Sequence, residues 1–123
     1  MSVSSPPTSS APSAYEMLRE QYALRLPTSL EDLAGPATGT VNLPLHVVWS
    51  GRRSYGLSQP RSRMSLYRTV LAEGQRQDLI AFLNRDLLIA QWPILRTLIS
   101  RPLRDVWESH FPELPADRAA TAA

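Results

Sequence analysis

The stretch Val41-Asn42-Leu43-Pro44-Leu45-His46-Val47-Val48-Trp49 decides the fold class, because Val41, Leu43, Leu45, Val47 and Trp49 recur at every second position. A period of two predicts a strand with one buried face. Pro44 has no N–H to give to a ladder, so the strand is expected at a sheet edge along at least its first half. Gly51–Arg61 follows as a loop or ragged hairpin connection, and Met64–Ala72 (MSLYRTVLA) reads as a second strand stopped by Glu73-Gly74. Two strands so close in sequence pair most economically as antiparallel neighbours. A third short strand is expected near Tyr55.

Outward from this unit the period changes to that of a helix. Ser13-x-x-Glu16 reads as a capping box opening a short helix with Tyr15, Leu18 and Tyr22 on one face, closed before Pro27. Thr28-x-x-Glu31 predicts a one-turn helix ended by Gly35-Pro36. Gln75–Trp92 places Leu79, Leu83, Leu87 and Ala90 on one face and Arg76, Asp78, Arg85 and Asp86 outside, until Pro93 ends or kinks it. A short helix with Leu95, Leu98 and Ile99 follows. The last helix carries Leu103, Val106, Trp107 and His110 at helical spacing and closes at Phe111-Pro112. The expected fold is α+β: a two- to three-stranded antiparallel sheet packed against C-terminal helices, with a short N-terminal helix.

A chain of 123 residues supports one domain with a modest core. Residues 1–13, rich in Ser and Pro and without charge, are expected to form a disordered tail, residues 14–114 the domain, and residues 115–123 a flexible tail. No cysteine is present, which excludes disulfides, thiolate nucleophiles and cysteine-based metal sites. No stretch has the length of apolar residues that a membrane span needs, and no secretory leader is recognisable, so a cytoplasmic protein without a membrane role is expected.

Every basic residue is Arg, and their distribution is uneven: residues 52–104 carry ten Arg against Glu73, Asp78 and Asp86, a net +7, while both flanking segments are acidic. The absence of Lys removes Schiff-base chemistry and the phosphate-loop lysine. His46 and His110 lie on separate elements without a carboxylate at triad-like or helical ligand spacing, and no recognisable catalytic motif occurs. His46 is expected on the solvent face of its strand and His110 as a packed, hydrogen-bonded residue. The acidic pairs Glu31-Asp32 and Asp105 with Glu108 have structural uses as helix caps and dipole partners. No catalytic residue, metal site or cofactor is therefore expected. Trp49, Trp92 and Trp107 occupy positions where core packing is expected.

The candidate binding residues are Arg52, Arg53, Tyr55, Arg61 and Arg63, four guanidinium groups with an aromatic ring between them. Such a set can hold phosphates or carboxylates bidentately and stack on a planar partner. The stretches LPTSLEDLAGP (26–36), LPLHVVWSG (43–51), SLYRTVLAEG (65–74), LNRDLL (83–88), WPILRTLI (92–99) and VWESHFPEL (106–114) resemble a group of small uncharacterised proteins of GC-rich bacteria, some of which accompany nucleotidyltransferase-type toxins as antitoxin-like partners. That resemblance implies a partner-binding regulator and carries over no functional residue. A non-enzymatic protein-interaction or regulatory protein is the leading expectation, with an open sheet edge also allowing self-association. Nucleic-acid binding through the basic segment Arg52–Arg63 is the alternative.

Overall fold

The computed structural model describes residues 12–48, 51 and 53–115. Along the chain run α1 (Ala14–Ala23), a 3-10 turn (Leu30–Asp32), β1 (Thr40–Asn42), β2 (Ser54–Gly56), α2 (Pro60–Glu73), α3 (Arg76–Phe82), α4 (Arg85–Leu95) and α5 (Arg101–His110). The fold is α+β, with a two-stranded antiparallel sheet in the register Thr40↔Gly56, Val41↔Tyr55, Asn42↔Ser54. No described helix is long and apolar enough to cross a membrane. Most of the expected tails, together with Trp49 and Arg52, lie outside the described residues.

The sheet is smaller than the alternation predicts. Pro44 ends it by accepting bonds from Val47 N (3.0 Å) and Val48 N (3.2 Å), which turns the chain over residues 44–48. Leu45 is consequently 60% exposed rather than part of the inward row, while Val47 reaches the core from the turn. The partner of β1 is β2, the short strand expected near Tyr55. Met64–Ala72 belongs to helix α2, because its buried residues Leu66, Tyr67, Val70 and Leu71 follow the spacing of a helix face. Pro60, with its preset φ, starts this helix without loss of an internal bond.

The expected single helix over 75–92 is two helices, α3 and α4, broken at Leu83-Asn84. Asn84 caps α4 by accepting from Leu87 N at 3.1 Å, and its own N–H donates to the buried Tyr67 hydroxyl at 2.9 Å. Burial pushes the Tyr67 hydroxyl up to about 12 against the bond from Asn84 and the charge of Arg63, both of which favour the ionised form. The break rotates the apolar stripe, so α4 buries Leu88, Trp92 and Leu95, and Ala90 faces outward. Pro93 sits inside the last turn of α4, and the expected short helix at 95–99 is a tight turn. The first 3-10 turn is capped one residue later than expected, by Ser29 with Asp32. The capping box of Ser13 and Glu16 forms as expected.

Trp92 and Trp107 centre the core, their rings 6.4 Å apart, and Trp107 continues to Phe111 at 5.1 Å. Glu108 joins α5 to α4: it accepts from Trp92 Nε1 at 2.8 Å and from both Arg96 Nε and Nη2. Burial pushes the Glu108 carboxyl up, but bonds from Arg96 and Trp92 and the charges of Arg96 and Arg104 outweigh it and hold the group below the usual carboxylate range. A depressed folded pKa stabilises above the unfolded pKa, and that contribution is lost as pH falls through the folded value. Urea midpoints are therefore expected to fall on acidification below about pH 4.5, and Glu108→Gln is expected to flatten that decline.

Candidate functional site: an apolar cleft walled by α2

Of the five expected binding residues, the four that are described divide once they are placed. Tyr55 is 4% exposed and lies in the core, so its ring offers no stacking face to a ligand. Arg53 donates through Nε to the Leu43 carbonyl at 3.2 Å, and Arg63 through Nη1 to the Leu57 carbonyl at 2.8 Å, so both brace the strands and the turn after β2. Arg61 is exposed at the start of α2. Arg52 lies outside the described residues. Of the described arginines of this set, Arg53 and Arg63 are thus engaged with backbone carbonyls.

A cleft of about 550 Å³ lies elsewhere, lined among others by Tyr22, Val47, Arg68, Glu73, Leu98 and Leu103. Its long wall is α2, where Arg68, Thr69, Ala72 and Glu73 project from adjacent turns of one face. The 44–48 turn brings Val47 and Val48 to the floor. That turn is pinned from outside by His46, whose Nε2 lies 2.9 and 3.1 Å from the two carboxylate oxygens of Asp78. Asp78 was expected on the solvent side of its helix; it is 4% exposed instead, and also accepts from Gln75 N at 2.8 Å to cap α3.

A further part of the lining comes from the turn between α4 and α5. Thr97 N and Thr97 Oγ1 both donate to the Ile94 carbonyl, and Leu98 N donates to Leu95, so the chain tightens after α4 and presents Leu98, Ile99 and Ser100. Leu98 remains 43% exposed and Ile94, four residues earlier, 61%. The end wall is Tyr22 of α1, over which the Arg25 guanidinium stacks at 4.9 Å while donating to the Gly74 carbonyl. α1 itself has no buried residue and rests on α5 through Tyr15 to Asp105 and Arg19 to Ser109.

Chemically this is a concave surface of mixed character, in which Val47, Val48, Leu98 and Leu103 stand beside Tyr22, Thr69, Ser100 and two charges on one wall. Arg68 and Glu73 are both exposed, and neither makes a hydrogen bond or ion pair to the described residues. The remaining acids discussed from the sequence are engaged: Glu31 with Arg85 at 3.0 Å, Asp105 with Tyr15, and Glu108 with Arg96. His110 donates through Nδ1 to the Val106 carbonyl at 3.1 Å, as expected for a hydrogen-bonded residue, although its ring lies at the surface. No group of three or more His, Asp or Glu placed to hold a metal occurs among the described residues. Comparison with protein-family models, with curated proteins and with solved structures finds no match to this chain.

Proposed function

We propose that this chain is a non-enzymatic interaction protein of antitoxin-like regulatory type, acting in the cytoplasm, which receives a partner protein in the cleft walled by α2. The observation that carries the reading is a concave lining in which Val47 and Leu103 are buried while Leu98, which lines the same cleft, stays 43% exposed. Exposed apolar groups bordering a cleft favour a binding surface over a solvated one. Shape and apolar area would supply affinity, and the net positive middle of the chain would favour an acidic partner.

A photo-crosslinking residue in place of Leu98, with the same residue in place of exposed Gln77 as control, tests this in the native host. One defined protein adduct is expected at position 98 and none at 77. In an affinity-tagged chain without the crosslinker, Leu98→Asp should abolish capture of the same protein while shifting stability by no more than about 0.5 kcal/mol, as usual for surface changes. Equal adduct yields at both positions, or unaltered capture by Leu98→Asp, would count against the proposal.

A second reading is favoured by Arg61 and Arg68, seven residues apart on α2, both exposed and without a partner among the described residues. Two turns of separation place them on one helix face, where they could grip two phosphates. Nucleic-acid binding of that kind predicts a slope of log K against log salt of about −1.8. A gel-shift series with that slope, abolished by Arg61→Gln with Arg68→Gln, would replace the partner-protein reading.

A further inference from the structure

The arginines of α1, α3, α4 and α5 all have partners: Arg19 on Ser109, Arg76 on the Leu24 and Leu26 carbonyls, Arg85 on Glu31, Arg101 and Arg104 on Asp105. Arg68 is different. It stands on the cleft wall without a bond to the described residues, and so does Glu73, five positions further along the same helix. Five residues is outside the three- or four-residue spacing at which helix side chains meet, so the two charges do not neutralise each other. They are offset by about 7.5 Å along the helix axis. Between them on the wall stand only Thr69 and Ala72, short side chains that let another backbone come close.

We infer that the segment received by the cleft is an amphipathic helix of the partner protein, with an apolar ridge on the floor and one acidic and one basic side chain opposite Arg68 and Glu73. This rests on the partner-binding reading above and adds the form and charge pattern of the partner. A ligand with one sign of charge would meet repulsion from one of the two groups. A segment carrying both signs meets attraction from both.

Helical rather than extended form follows from what lines the cleft. Its lining comes from α1, the 44–48 turn, α2, the turn after α4 and the start of α5, none of which is a strand, so an extended segment finds no strand edge there to pair with. The sheet contributes no residue to the lining. An extended segment would lay unpaired backbone groups against Val47, Leu98 and Leu103, whereas a helix brings its backbone bonds satisfied.

Three synthetic 14-residue peptides, acetylated and amidated with one common leucine ridge, test the inference against the full chain by fluorescence anisotropy. They carry Glu and Lys, two Glu, or two Lys at flanking positions five residues apart. The parent protein is expected to bind the mixed peptide about two- to fivefold more tightly than either other, the scale of an exposed ion pair. Glu73→Arg should move the preference to the two-Glu peptide, and Arg68→Glu to the two-Lys peptide. Both substitutions are at exposed helix positions, and circular dichroism verifies that each variant is folded. Absence of binding by every peptide, or a ranking that the variants leave unaltered, overturns the inference. If position 98 still captures a defined protein in that case, the partner-binding reading stands while its helical, two-charge form falls; if capture fails, the inference falls with the reading on which it rests, whatever the peptides show.

Discussion

Gly35→Ala is expected to lower stability by about 3–5 kcal/mol, a large share of the 5–15 kcal/mol that holds a domain of this size folded. The reason is space, not backbone conformation. A Cβ on residue 35 would lie 2.4 Å from the Phe82 carbonyl carbon, 2.6 Å from its oxygen and 2.7 Å from Leu83 N. These are backbone atoms at the junction of α3 and α4, and no side-chain rotation relieves them. The segment is also fixed in place, since Ala34 N donates to Ile80 and Gly35 N to Leu83, both at 2.8 Å, and Asn84 Nδ2 donates to the Gly35 carbonyl. Moving it away sacrifices bonds worth about 1 kcal/mol each on top of about 1–3 kcal/mol of overpacking. Gly39→Ala is the control: its φ is +92°, so it is strained, but nothing lies within 4 Å of the new methyl. Urea unfolding of the two variants should therefore separate a clash from a turn preference; equal midpoints would mean that residues 34–35 do not anchor the α3–α4 junction.

That junction also marks where sequence reading runs out. Local signals survive folding: the Ser13 capping box, α5 and its stop at Phe111 all depend on residues within a few positions of each other. At Leu83-Asn84 the apolar spacing runs on without interruption, and only the cap from Asn84 to Leu87, together with Gly35 arriving from a distant segment, divides the helix. MSLYRTVLA, expected as a strand, is part of a helix, because its buried residues Leu66, Tyr67, Val70 and Leu71 recur at helical spacing and Arg68 interrupts any alternation. The 44–48 turn depends on His46 meeting Asp78, thirty-two positions away, which no spacing within the strand reveals.

The cleft was not legible in the sequence. An excess of Arg over residues 52–104 pointed to a binding surface, yet Arg53 and Arg63 serve backbone carbonyls of the sheet and its following turn. Free carbonyls at the ends of short strands attract guanidinium groups as readily as a ligand does, and sequence does not distinguish the two uses. Arg68 and Glu73 have no feature in the sequence that separates them from an ordinary solvated helix face. Their place beside Val47, Leu98 and Leu103 arises from segments of chain that only the tertiary fold brings together.

Trp92→Ala should cost about 3–5 kcal/mol, and measuring it beside Trp92→Phe apportions the cost. The indole is fully buried, stacked obliquely against Trp107, and its Nε1 supplies one of the three bonds that Glu108 accepts. Alanine empties the space between α4 and α5 and removes the donor together. Phenylalanine keeps most of the volume and removes the donor, so it isolates the bond to a carboxylate, about 1.5–3 kcal/mol for a charged acceptor and toward the lower end here because Arg96 still neutralises Glu108. Combining Trp92→Phe with Glu108→Gln closes the cycle: a non-additive result of about 0.5 kcal/mol or more would establish that the indole and the carboxylate act as one unit. Loss below about 1 kcal/mol in Trp92→Ala by urea unfolding would mean that the helices re-pack around the gap, and that the α4–α5 contact tolerates a hole where a fully buried indole now sits.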